Sequence, residues 1–222
     1  MCGRFTLTTS NDELMQRFGV YITENLQKRW NIAPGQTSLV IKAEDKLGQL
    51  SAFQAAFGTD MPKSGKRLIN ARLETVEEKP TFRHAFQATR CLVPANGWFE
   101  WAAPKKPYYI QIKDGRVMAF AGLLLKDLTG KSDKPHFVIM TGAAEGHLEK
   151  LHHRTPLVLP QGCWQDWLGG DITAARRCLI PPRSTFFTAH AVSNDVGKVA
   201  NDHEGLVRPI DPIAVAEQEA LL

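Results

Sequence analysis

Apolar and polar positions alternate in short bursts along most of this chain. Ser38–Ala43, Gln49–Phe53, Cys91–Val93, Gly97–Trp101, Tyr108–Lys113, Met118–Leu125, His136–Thr141 and Thr185–Val192 are rich in β-branched and aromatic residues. Gly, Pro, Lys and Asp separate them, a pattern that predicts strands. A further short strand opens the chain. Helical periodicity runs from about Asn11 to Phe18, where Ser10 and Glu13 form a capping box and Gly19 supplies the stop. It returns over about Ala143–His152, Gln161–Leu168 and Ile172–Cys178. Lys113-Asp114-Gly115-Arg116 reads as a hairpin turn between its two flanking strands, and the residues after Pro212 as a short helix or a frayed tail. Strands dominate and the helices do not alternate with them. The expected class is therefore α+β, one domain over residues 1–222, mostly antiparallel.

Composition narrows the functions. Apolar residues at 43% and charged ones at 23% belong to a globular chain. No apolar run approaches the roughly 18 residues of a membrane span, and the N-terminus has no apolar signal core, so a cytoplasmic location is expected. Twenty-seven basic against 23 acidic side chains give a net charge of +4, which permits a nucleic-acid partner without demanding one. The four cysteines, Cys2, Cys91, Cys163 and Cys178, include no C-x-x-C pair and have no His at ligand spacing. Neither a disulfide framework nor a metal site is expected, and no cofactor motif is present.

Position 2 is where a cysteine changes the picture. Trimming of Met1 leaves Cys2 with an α-amine and a thiol on adjacent carbons. Near pH 7 roughly a tenth of such an amine is neutral. It can attack an aldehyde to give a Schiff base, on which the thiol closes as a five-membered thiazolidine. The other route is thiol attack on an amide with the amine as base, as in N-terminal-nucleophile hydrolases. A chance cysteine is the third reading.

Other segments carry complementary groups. If Gly97–Trp101 is a strand, Trp98 and Glu100 share one face while Phe99 and Trp101 share the other. Glu100 is then a lone carboxylate among aromatics, its pKa raised toward acid–base use, unless it lies at an edge and reaches water. His152 closes a helical pattern that Pro156 ends, and the negative end of the helix dipole favours its imidazolium form. It is a proton shuttle or a structural His, and Arg154 beside it suits a phosphate. Asn70 and Arg72, two apart, share a face if extended; the amide suits a sugar or carbonyl oxygen and the guanidinium a phosphate. Lys63, Lys66 and Arg67 complete a cluster of cations that is either solvated surface or a groove tracking a phosphate backbone.

Taken together and in this order, the segments resemble the SRAP family, the SOS response-associated peptidase-like proteins, whose members process abasic sites in single-stranded DNA. The resemblance rests on Met1–Phe5, Trp30–Gly35, Ile69–Arg72 with Glu74-Thr75, Lys79–Phe82 and Arg90–Trp101. It continues through Ala119–Leu123, Thr141, the H-x-R-x-P of His152–Pro156, Trp164–Leu168 and Val192–Asn194 with Val196.

That resemblance implies a strongly curved, barrel-like antiparallel β-core flanked by short helices, with Cys2 as nucleophile forming a thiazolidine cross-link with a ring-opened abasic site. Asn70, Glu100 and His152 match the family's active-site positions, Arg4 and Arg72 its phosphate contacts, and Lys79 a further basic contact. The implied partner is single-stranded DNA containing abasic sites, met on the nucleoid during a DNA damage response, with β-elimination as a lyase side route. One departure stands out. The family's W-G-x-x-P followed by a tryptophan, an apolar wedge that stacks on bases, is here Phe57-Gly58-Thr59-Asp60-Met61-Pro62-Lys63-Ser64. The expected consequence is a weaker grip, offset by Lys63, Lys66 and Arg67. A cysteine N-terminal-nucleophile peptidase or amidase, and a non-catalytic single-strand DNA-binding module, are the competing readings.

Overall fold

The structure, a computed structural model, describes residues 2–44, 49–62, 64–104 and 106–210. Strand β1 (Phe5–Leu7) leads into helix α1 (Asn11–Phe18), whose ends are fixed by local chemistry. The Ser10 side chain accepts from Glu13 N while Glu13 reaches back to the Ser10 backbone, and Gly19 ends the helix in the left-handed region at φ 64°. Strands β2 (Arg29–Ile32), β3 (Thr37–Ala43) and β4 (Leu50–Phe57) follow, then a small ribbon of β5 (Thr59–Asp60) and β6 (Arg67–Leu68), and β7 (Asn70–Arg72).

Helix α2 (Pro80–Ala88) begins with Pro at its first turn, where the missing N–H costs nothing, and buries Phe82, Ala85 and Phe86 at helical spacing. Next come β8 (Arg90–Ala95), β9 (Gly97–Ala103), β10 (Lys106–Ile112), β11 (Met118–Leu125) and β12 (His136–Ala143). The chain ends its described course with α3 (Gly146–Glu149), β13 (Arg154–Pro156), α4 (Trp164–Gly169), α5 (Ile172–Cys178) and β14 (Phe187–Ala191).

Two sheets form the core. One runs β14-β10-β9-β1-β2 and is antiparallel. The other runs β11-β8-β3-β4-β12-β13 and closes on itself, because β11 also pairs with β12. This is the curved, barrel-like, mostly antiparallel α+β core expected from the sequence. Phe5 of β1 plugs it, meeting Phe57, Phe120 and Phe137 edge-on at 5.5, 6.1 and 6.4 Å. Strand β12 is the exception in direction. Both β4 and β7 pair with it in parallel, so the chain leaves β12 after Phe57 and rejoins it at Asn70.

Three expectations are corrected. The turn at residues 113–116 exists, with Gly115 at φ 71° and its N–H bonded to Ile112 O, but it is not a hairpin. Its strands lie in different sheets, β10 pairing with β9 and β14, and β11 with β8 and β12, so the turn is a corner between them. The helix expected over residues 143–152 shrinks to α3, because Ala143 is claimed by β12 and Arg154 by β13. Phe57 is no surface wedge: it is fully buried and stacks on Phe137 at 5.2 Å. The expected tail after Pro212 lies outside the described residues, and among those described no helix is long and apolar enough to cross a membrane.

Candidate active site

The opening strand carries Cys2 to the seam between the sheets. Phe5 pairs with Trp98 and Thr6 with Gly97, and Phe99 N donates to Arg4 O at 2.9 Å. Continuing that register sets Gly3 opposite Glu100, so Cys2 emerges at the Glu100 end of β9. From the closed sheet, β7 brings Asn70 to the same point. Asn70 lies beside Ile139 of β12, and its Nδ2 donates to Cys2 O at 3.2 Å and to Ile139 O at 3.3 Å. Its Oδ1 is buried with no hydrogen-bond partner among the described residues, an acceptor left over inside the site.

Glu100 is almost fully buried. As the alternation along β9 requires, Trp98 and Glu100 share one face, and Phe99 and Trp101 pack together in a second, smaller cluster on the other. Burial pushes the Glu100 carboxyl up to about 7, against the opposing pull of the positive N-terminal amine. A carboxyl at that value both gives and takes protons near neutrality. Burial likewise drives the Cys2 thiol well above the ordinary range, and the Glu100 charge pushes it further the same way. Cys2 is thus a thiol at neutral pH, not a thiolate.

His152 is half-buried and stacks on His153 with ring centroids 4.3 Å apart. Its Nδ1 accepts the Arg154 backbone N–H at 2.9 Å, a shorter contact than the 3.3 Å to Arg154 O. Nδ1 is therefore the acceptor and the ring proton sits on Nε2. Burial, with the N-terminal amine and His153 adding to it, holds its pKa below the ordinary value. The expected imidazolium is corrected to a neutral ring: His152 N still meets the α3 carbonyl of Leu148 at 3.0 Å, but burial and the neighbouring positive groups outweigh the end of so short a helix.

The expected DNA contacts divide into two groups. Arg72 in β7, Lys66 in the ribbon turn and Lys79 before α2 are exposed, and their side chains make no hydrogen bond to the described residues. Contrary to expectation, three guanidiniums are already engaged by protein groups. Arg67 grips Asp60 through two bonds of 2.8 Å and lies over Gly35, where any Cβ would meet its Nη1. Arg154 forks onto Glu74 at 2.6 and 2.9 Å and donates to Thr141 O. Arg4 bonds Asn31 Oδ1 at 2.9 Å and Val196 O at 2.7 Å. Lys63 lies outside the described residues.

Residues 1–199 match the SOS response associated peptidase (SRAP) family. The chain belongs to that family. Among its relatives, the Bacillus subtilis protein named abasic site processing protein YoaM is 30% identical over 221 residues, 93% of this chain and 97% of that one. Escherichia coli abasic site processing protein YedK is 29% identical over 229 residues, 95% of this chain and 100% of its own. Solved structures repeat the fold. A Bacteroides thetaiotaomicron protein superposes with a TM-score of 0.77 at 22% identity, over 95% of this SRAP chain and all of its own. A phage-related protein of Bordetella bronchiseptica does so with a TM-score of 0.69 at 27% identity, covering 86% and 94%.

Proposed function

We propose that this SRAP protein processes abasic sites in single-stranded DNA by becoming covalently joined to them through Cys2. The observation that carries the reading is the meeting at one seam of Cys2, from the segment before β1, with Asn70 of β7 and Glu100 of β9. Hydrolysis of the Met1–Cys2 bond frees the Cys2 amine. That amine attacks the aldehyde carbon of the ring-opened sugar to give a carbinolamine. Glu100, half protonated near neutrality, hands a proton to the carbinolamine hydroxyl, which leaves as water and yields an imine. The Cys2 sulfur then bonds to the imine carbon, the C=N pair moves onto nitrogen, and the thiol proton ends there by way of Glu100. Aldehyde, amine and thiol together give one thiazolidine and one water. Asn70 orients the sugar oxygen, its Oδ1 accepting a hydroxyl. Neutral His152 donates from Nε2 to the phosphate side of the sugar, and Arg72, Lys66 and Lys79 are the cations best exposed to the strand. The same imine permits β-elimination as a lyase side route.

The state of the thiol favours this chemistry over a peptidase. A cysteine hydrolase needs a thiolate, whereas burial and Glu100 both oppose ionisation of Cys2. An amine that attacks first and a thiol that closes second need no thiolate at the outset. The test is a denaturing gel of the processed protein incubated with a single-stranded oligonucleotide bearing one abasic site. A slow band that survives heating and disappears in Cys2→Ala supports the reading. Absence of the band at every salt concentration sinks it, and hydrolysis of an amide substrate without a band favours the peptidase.

A further inference from the structure

Asn31 lies in β2, outside the constellation described above, yet it is fully buried, an unusual place for an amide side chain. Every polar atom of that side chain is engaged. Oδ1 accepts from Arg4 Nη1 at 2.9 Å, and Nδ2 faces the carbonyls of Val196, Lys198 and Asn201 at 3.2, 3.1 and 2.7 Å. The backbone on either side is tied to the same segment. Trp30 N and Asn31 N donate to Asp202 at 2.5 and 3.1 Å, and Arg29 pairs with that carboxylate. One side chain thus rivets β2 to a loop more than 160 positions away in the chain. Arg4 completes the rivet, reaching Val196 O at 2.7 Å and Gly197 O at 3.3 Å.

The rivet is next to the reacting residue. Arg4 stands two positions after Cys2, and its carbonyl accepts from Phe99 N, the neighbour of Glu100. Anchoring the Arg4 side chain therefore fixes the short run of backbone that aims the Cys2 amine and thiol at Glu100 and Asn70. Free rotation of a chain terminus is large by default. Productive attack tolerates little misplacement, about 1 Å costing on the order of 100-fold. A half-buried Arg4 with both Nη atoms bonded to protein is built to hold the terminus rather than to meet a phosphate.

We propose that Asn31 is a positioning residue for the cross-linking reaction, acting through Arg4 to hold Cys2 against Glu100. This rests on the reading of Cys2 as the nucleophile. The test measures single-turnover adduct formation with abasic single-stranded DNA for the wild-type protein, Asn31→Ala, Arg4→Met and the double variant. The maximal rate and the DNA concentration giving half of it are read separately, after a cooperative thermal melt establishes folding.

The expected result is a maximal rate lowered roughly 10- to 100-fold in each single variant. The half-saturating DNA concentration and its salt dependence stay unchanged, and the double variant is no slower than the slower single one. Asn31→Asp, which keeps the acceptor facing Arg4, recovers part of the rate. A folded Asn31→Ala at the wild-type rate overturns the proposal, as does an Arg4→Met that alters only the half-saturating concentration. If Asn31→Ala fails to fold, Arg4→Met alone decides between these outcomes. Wild-type protein that forms no adduct is a separate result: it removes the cross-linking reading, and this proposal with it.

Discussion

Asn70 donates from Nδ2 to the Cys2 carbonyl across 3.2 Å, joining the closed sheet to the strand that opens the chain. The bond spans 68 positions and leaves the Asn70 Oδ1 as a spare buried acceptor. If that acceptor orients the opened sugar, Asn70→Ala removes both functions. The expected loss is about 10-fold or more in adduct rate, the equivalent of one or two hydrogen bonds at about 1 kcal/mol each. Asn70→Asp keeps the acceptor but loses the donor to Cys2, and is expected to fall between Asn70→Ala and the wild type. Single-turnover gel assays check the order.

Glu100 connects activity to stability. Its carboxyl stands at about 7 in the folded protein because of burial. The native state therefore holds its proton more tightly than the unfolded chain does between roughly pH 4.3 and 7. Stability from this group is fully present below that window and is lost as pH rises through it, the loss amounting to about 4 kcal/mol above pH 7. Glu100→Gln should flatten that fall and leave the protein more stable than wild type at pH 8. It should also slow adduct formation and remove the acid–base step from its pH profile. Urea unfolding at pH 4.5, 6 and 8 checks the first expectation, and a wild-type curve without a decline over that range contradicts it.

Phe57 separates a packing role from a DNA-contact role. Fully buried against Phe5 and Phe137, it should cost about 3–5 kcal/mol as Phe57→Ala. Phe57→Trp should also destabilise, by roughly 1–3 kcal/mol, because a larger ring must displace Phe5 and Phe137, whose rings already stand 5.5 and 5.2 Å away. Neither change should alter the affinity of the folded fraction for single-stranded DNA, as measured by fluorescence anisotropy.

The exposed and engaged cations should differ in salt response. Each phosphate neutralised on a single strand contributes about 0.7 to the slope of log K against log salt. Arg72→Ala should lower the slope by about that amount. Arg67→Ala, whose guanidinium is bonded to Asp60, should leave it nearly unchanged. Equal effects of the two substitutions would contradict this division.

Much of the frame was legible because it is local. Ser10, Glu13 and Gly19 state the limits of α1 by themselves, and the alternation through Trp98–Trp101 told which face Glu100 shares. Helix α2 is also written locally, in Pro80 at its start and in Phe82, Ala85 and Phe86 along its buried face. What could not be read is pairing between distant positions. Nothing near Arg154 announces Glu74, and nothing near Arg4 announces Asn31 and Val196, so cations that looked suited to phosphate turned out to be held by protein. The corner at Gly115 failed for the same reason: a turn's own residues do not say whether its strands remain in one sheet.

The claim that Cys2 supplies both amine and sulfur is tested most directly by the intact mass of the adduct with a defined abasic oligonucleotide. The account predicts the mass of the protein without Met1 plus the oligonucleotide less one water, unchanged by borohydride, with Cys2 resistant to alkylation. An adduct that gains two hydrogens with borohydride while Cys2 remains open to alkylation, or one that forms equally in Cys2→Ala, would contradict it.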